Sequence, residues 1–229
     1  VETLTMQDFI DGFFSLEILR EASPILIQGL LQTLLLSAMV VPIGIAGGII
    51  LGIASTIRNP WLRLPIAAWV DLFRALPPLV LLVFVYAGLP FAGLEVNAWQ
   101  AVAIGFFLNT GAYYGEIIRA GIESVPAGQA EAARALGLSR YHTMRLVVLP
   151  QAIRNVLPDL VSNTLEVVKL TSIASVVALP ELLFQARQAQ SVTYNATPIM
   201  AAAVAYFILL WPLVRVLSRL ENKQMAGKR

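Results

Sequence analysis

Four stretches of the chain carry no Asp, Glu, Lys or Arg: Pro24 to Ile57, Ala75 to Leu94, Val96 to Ala112 (continuing to Gly115) and Gln188 to Val214. A helix needs about 20 predominantly apolar residues to cross the roughly 30 Å hydrocarbon layer, so each stretch can span a bilayer. The whole composition agrees: 58% of residues are hydrophobic, 13% are charged and the mean hydropathy is +0.74. Soluble domains carry about a quarter charged residues. The expected fold class is an all-α integral membrane protein.

The runs set out the spans. A first helix fits within Pro24–Thr56 and stops at Asn59-Pro60. Its Gly44, Gly47, Gly48 and Gly52 give small faces for close helix approach, without forming a specific dimer motif. A second span runs from about Leu64 to Gly88, broken at Pro77-Pro78, where freed carbonyls must find partners inside the protein. The third runs from about Trp99 to Ala120 and the fifth from about Pro198 to Leu217. Leu146–Leu183 is apolar enough to be a fourth span despite Arg154, Asp159, Glu166, Lys169 and three prolines. If it crosses, 13 of the 16 basic residues fall on one side: Arg58, Arg63 and Arg74; Arg119, Arg134, Arg140, Arg145 and Arg154; Arg215, Arg219, Lys223, Lys228 and Arg229. The positive-inside rule makes that side the cytosol. The expectation is five transmembrane helices with the N-terminus outside and the C-terminus inside. Residues 1–23 form an external segment, 24–220 the transmembrane domain with a loop at 122–142, and 221–229 a cytosolic tail. The acidic N-terminus lacks the basic-then-apolar order of a cleaved signal peptide. No internal repeat is visible, and five spans do not divide into equal inverted halves, unlike many secondary transporters.

Asn155, Asp159, Ser162, Glu166 and Lys169 are spaced by four, three, four and three, which places them on one helical face. Asn163 flanks this stripe, and Thr171 and Ser172 follow it. Ionisable groups at bilayer depth cost about 2.5–3.5 kcal/mol each on insertion scales, so they normally face protein or water. The stripe therefore lines a pathway or ligand site, or else Glu166 and Lys169 neutralise each other in a subunit contact. In the third span Asn109, Tyr113 and Glu116 share a face. Asn109 can bind a ligand or make a helix–helix hydrogen bond, while Glu116 is placed for a salt bridge with Arg119.

The polar loop between the third and fourth spans reads as a short self-terminated helix. Pro126 suits the first turn, and Ala130 to Leu136 are strong helix formers. Gly137 stands where a left-handed cap is wanted, with Leu138 folding back, and Ser139 restarts a helix as its N-cap. The alanines let another protein approach closely, and Glu131 and Arg134 supply polar anchors.

Glu131-Ala132-Ala133, Gly137 four residues on, and Leu149-Pro150 after the restart together resemble the cytosolic signature of membrane subunits of ABC importers. The flanks Tyr114 to Gln129, Pro150 to Pro158, Lys169-Leu-Thr-Ser172 and Glu181-Leu-Leu183 narrow the resemblance to the polar amino acid permease family, from the first span to the C-terminus. The resemblance implies the ABC type I importer permease fold and transport of a polar amino acid, or a related zwitterion such as an opine. It also implies that residues 126–138 are a coupling helix seated in a separate ATP-hydrolysing subunit, with Gln129, Glu131, Ala132, Ala133, Arg134 and Gly137 as docking residues. With the helical faces read above, the expected substrate-pathway residues are Asn109, Tyr113, Asp159, Ser162, Asn163, Glu166, Lys169, Thr171 and Ser172. The implied partners are ABC ATP-binding subunits, a second permease chain (identical or paralogous), an external substrate-binding protein and membrane lipid. The implied location is the bacterial cytoplasmic (inner) membrane. Leu170 departs from the family, which often has an acidic residue there. That removes a partner for a cationic cargo and offers an apolar contact.

No Gly-x-x-x-x-Gly-Lys-Ser/Thr segment is present, so ATP and Mg are expected to be used by the partner and no cofactor or metal bound by this chain. With no cysteine and one histidine, His142, a metal centre is not expected, and His142 reads as an interfacial residue. No Gly-x-Ser-x-Gly setting points to an intramembrane hydrolase. The alternative reading is a membrane scaffold or assembly subunit, or an intramembrane enzyme, without transport activity. The basic residues lie at span ends, so the net charge of +2 does not point to nucleic acid.

Overall fold

The computed structural model describes residues 6–57 and 59–226, and the side chains of these except residue 8 and residues 222–226. Of the orientation argument, Arg58, Lys228, Arg229 and the Lys223 side chain lie outside the described residues, as do the ends of segments 1–23 and 221–229. The described residues are helical throughout their regular structure, with no strand among them.

The segment ahead of the first apolar run contains a helix, α1 (Met6–Phe13), followed directly by α2 (Leu16–Ala54). Helix α2 therefore begins at Leu16, well before the expected start at Pro24. Pro24 has no N–H for the Arg20 carbonyl, and the neighbouring Ser23 hydroxyl donates to that carbonyl at 2.9 Å instead. With the orphan acceptor satisfied, the proline sits inside the helix. Ser15 accepts from Ile18 N as N-cap, and Glu17 lies in the first turn, where the helix dipole favours an acid.

Helix α3 (Pro60–Ala75) starts from Asn59, whose side chain accepts from Trp61 N, with Pro60 in the first turn. The expected second span is not one rod. At Leu76-Pro77 the chain turns through 100° into α4 (Pro78–Val83), a π-helical turn (Phe84–Gly88) and a 3-10 turn (Leu89–Ala92). Helix α5 (Ala98–Glu123) opens with a reciprocal cap between Asn97 and Gln100. After α6 (Ala127–Ala135), one long element runs over Arg140–Val177. It comprises α7 (Arg140–Thr143), a π turn (Met144–Val148), α8 (Leu149–Leu170) and a 3-10 segment (Thr171–Val177). The chain ends with α9 (Leu182–Thr193) and α10 (Thr197–Ala226).

Phe9–Ala54, Arg140–Val177 and Thr197–Glu221 are long and apolar enough to cross a membrane, and the bent α3–α4 pair adds a fourth if counted as one span. Helix α5, about 39 Å long from 26 residues, is diluted by Asn109, Thr110, Tyr113 and Tyr114 and runs through the middle of the bundle.

The glycines of α2 form a seam inside the chain. A Cβ on Gly44 would overlap Thr110 Oγ1, one on Gly48 would overlap Tyr114 Cβ, and one on Gly52 would lie 2.8 Å from Ile118 Cβ. Spaced four apart, they stack on one face and bring the α2 and α5 backbones nearly into contact. Tyr114 is fully buried there, and its hydroxyl is 2.8 Å from Thr164 Oγ1 on α8, so α2, α5 and α8 lock together. On α5, Gly121 plays the same part against Ala152 O of α8, where a Cβ would meet it at 2.9 Å.

Gly48→Val is expected to cost about 1–3 kcal/mol through overpacking, read as a lower melting temperature of the detergent-purified protein. Gly12→Ala, where an added Cβ meets nothing within 4 Å, is the control and leaves it unchanged.

Candidate functional site

The proline corner organises the site. Pro77 has no N–H to give the Phe73 carbonyl, and Pro78 has none for Arg74. Asn109 Nδ2 donates to Phe73 O at 2.9 Å and the Tyr113 hydroxyl donates to Arg74 O at 3.2 Å. One turn apart on α5, these two side chains serve the two consecutive orphan carbonyls. Asn109 is 2% exposed, so its amide is committed to the helix–helix bond left open by the sequence. The Arg74 guanidinium also lies over the Tyr113 ring, 5.6 Å from its centroid.

Beside the corner is a cavity of about 230 Å³. Asn109, Tyr113, Asn163 and Glu166 line it together with Pro78, Thr110, Val167 and Leu170. Asn163 Nδ2 is shielded from solvent there. Leu170 contributes an apolar wall. Thr110 was not singled out from the sequence, because its hydroxyl bonds back to Phe106 O at 2.6 Å and a threonine in an apolar run carries no signal of its own.

The polar stripe continues from this cavity along α8. Asn155, Asp159, Ser162, Glu166 and Lys169 are all exposed, while Val156, Leu165, Val167 and Val168 on the other side are buried. Lys169 Nζ is 2.7 Å from Glu166 Oε1, with the two side chains 51% and 60% exposed. The pair is thus mutually neutralised, yet stands on a surface that the chain's own helices leave open. Asn155 Nδ2 reaches Ser124 Oγ at 2.8 Å. Thr171 is fully buried, its hydroxyl donating to Val168 O, and Ser172 donates to Lys169 O. These two residues therefore bond back to the end of α8, and neither lines the cavity.

The expected Glu116–Arg119 salt bridge is present at 2.6 Å and is larger than a pair. Arg119 also holds Glu123 at 2.6 Å, and Arg74 approaches Glu116 at 3.8 Å. Glu116, Arg119 and Glu123 line, with Arg63 and Asp71, a charged cavity of about 330 Å³ toward the α6 end of α5.

Helix α6 is stopped by a complete glycine cap. Gly137 has φ +86°, Leu138 N donates to Ala133 O at 3.2 Å, and Gly137 N donates to Arg134 O at 3.0 Å. Ser139 then accepts from His142 N and lies 2.8 Å from His142 Nδ1, so the histidine serves the restart of the helix. Pro126 occupies the N-cap, one position before the first turn. Gln129, Glu131, Ala132, Arg134 and Gly137 are exposed, whereas Ala133 is 5% exposed and faces inward. Leu136, 84% exposed, is the apolar residue that motif reading passed over. An open groove of about 610 Å³ runs beside the helix, with Glu131 and Arg134 across from Ile53, Ile57 and Tyr141. Among the described residues no cluster of His, Cys, Asp and Glu could hold a metal ion.

Comparison with known proteins adds the family. Residues 44–225 match the binding-protein-dependent transport system inner membrane component family. The probable amino-acid ABC transporter permease protein YckA of Bacillus subtilis (strain 168) is 40% identical over 174 residues, 76% of this chain and 77% of its own. The glutamine transport system permease protein GlnP of Escherichia coli (strain K12) is 34% identical over 209 residues, 88% of this chain and 94% of its own. A crystal structure of an amino acid ABC transporter with histidines superposes with TM-score 0.79 at 33% identity, covering 96% of this chain and 99% of that one. An inward-facing MetNI methionine ABC transporter shares the fold at 22% identity and TM-score 0.73, covering 86% and 94%.

Asn109→Leu strands the buried Phe73 carbonyl and is expected to cost about 1–3 kcal/mol, against about 0.5–1.5 kcal/mol for Tyr113→Phe. Thermal melts of the purified variants check both the direction and the order.

Proposed function

The chain belongs to the family of binding-protein-dependent transport system inner membrane components, and from that premise we propose that it moves a polar amino acid, or a closely related small zwitterion, along the open face of α8. It is a permease subunit of an ABC importer with the type I fold, and not an enzyme; ATP is hydrolysed by a separate subunit. Family membership also implies ATP-binding and substrate-binding protein partners.

The exposed ionic face of α8 carries the reading. Asp159, Glu166 and Lys169 cannot face acyl chains at acceptable cost, so they face a watered path or a second chain that closes it. Counting α5 and the bent α3–α4 pair as one span each gives five, with the N-terminus outside and α6 on the cytosolic side of a bacterial inner membrane. A second permease chain, identical or paralogous, completes the enclosure, since five helices hardly surround a cavity. Gln129, Glu131, Ala132, Arg134, Leu136 and Gly137 present the face that seats in the ATPase, and Ala133 holds the helix down from beneath. Helix α6 ends in a rigid cap directly joined to the element bearing the stripe, so displacement of α6 by the ATPase moves α8 as a body. Relatives are named for glutamine and for amino acids generally. The apolar Leu170 and the self-paired Glu166 favour a cargo without net positive charge.

Two outcomes test this in proteoliposomes holding the permease, its ATPase and its binding protein. Glu166→Gln and Lys169→Ala abolish amino acid uptake while the complex still assembles; unchanged uptake in both would return the pair to a structural role. Glu131→Ala and Leu136→Ala each lower permease-stimulated ATP turnover several-fold, by about the 1–2 kcal/mol expected of an interface anchor. Full turnover with both would remove α6 as the coupling element.

A further inference from the structure

Far from α6, where the 3-10 segment Thr171–Val177 gives way to α9, the structure buries a carboxylate completely. Glu181 is 0% exposed. Its Oε1 accepts from Phe184 N at 2.7 Å, and its Oε2 accepts from Leu183 N at 2.9 Å and from the Tyr206 hydroxyl of α10 at 2.9 Å. All three partners are donors, which suits an ionised carboxylate at the N-terminus of a helix. One residue on, Leu182 N donates to the fully buried Thr33 hydroxyl of α2 at 3.1 Å. Around these bonds Ala22, Leu26, Ala186, Ala189 and Ala202 pack into a separate small core joining α2, α9 and α10. Among the described residues no cation forms a salt bridge with Glu181.

A helix cap alone does not require this. Serine or aspartate at the surface would cap α9 without burying a charge, and a buried charge adds little net stability even when well bonded. What the buried carboxylate adds over a surface cap is the bond to Tyr206, a link between α9 and a helix that follows it in the chain. The corner it fixes is the far end of the element Arg140–Val177, whose near end is joined to α6. We propose that Glu181 is a positioning residue that clamps α2, α9 and α10 into one body, which holds the far end of the stripe-bearing element in place during transport. The clamp rests on the transport reading for its purpose, but its geometry does not depend on the cargo.

The chain has no cysteine, so a single Ala186→Cys, at a position 0% exposed in the clamped core, reports on the seam alone. The whole complex in nanodiscs is treated with a membrane-impermeant maleimide, without nucleotide and again when trapped with ATP and vanadate. The clamp predicts protection in both states; labelling in either overturns it. Ala189→Cys repeats the test should the first variant misfold. Tyr206→Phe keeps the α9 cap and removes only the tie to α10. It is expected to raise labelling by about tenfold, the equilibrium equivalent of one hydrogen bond to a charged group, and to lower uptake per ATP hydrolysed with ATP turnover retained. Unchanged labelling and coupling in Tyr206→Phe would also overturn the proposal. A complex that carries no amino acid at all would sink the proposed function, while the labelling pattern would still decide the clamp.

Discussion

A backbone carbonyl that loses its helical donor must find another, and much of this structure follows from two of them. Consecutive prolines leave Phe73 and Arg74 without their helical donors, and Asn109 and Tyr113 supply replacements from α5. The bonds hold the 100° corner against α5, and with it the wall of the cavity that Asn163 and Glu166 complete. A polar side chain in a membrane helix is usually weighed as either structural glue or functional lining. Asn109 and Tyr113 are glue that also forms a wall of the cavity.

The corner could not hold α5 in place alone. The glycine seam does the rest by bringing α2 against α5 at backbone distance, with Tyr114 buried between them and tied to Thr164. Helix α8 then has a buried half facing this core and an open half carrying the charges. In a soluble protein that division would be ordinary. In a membrane it has to be inverted, because lipid accepts the apolar half as readily as protein does. The polar half is the one that needs a designated neighbour.

Much of this was legible in the sequence, for identifiable reasons. Charge-free runs report directly on the solvent, and the cap at Gly137 and the restart at Ser139 are local devices that need no tertiary help. The polar spacing on α8 gave a face, and the face is there. What escaped depended on partners, angles and phases that a local pattern does not specify. Pro24 reads as a helix start until Ser23 is seen to serve the Arg20 carbonyl. The proline pair reads as a kink until the angle is measured. Ala133 reads as one alanine among several, yet it is fully turned inward, a matter of helical phase that the Glu-Ala-Ala signature does not specify. Glu181 stood in a recognised motif, and only the fold shows Tyr206 of α10 beside it.

The π turn at Met144–Val148 places one surplus residue between the α6 end of the long element and its polar face. Each residue rotates an α-helix by about 100°, so that surplus works as a phase offset between the two ends. The direction in which α6 presents itself and the direction in which the charges of α8 look out are thereby separable by a one-residue insertion or deletion. Neither the motif at one end nor the stripe at the other has to change. A fold of this kind can change the angle between its short polar helix and its charged face without altering the residues of either.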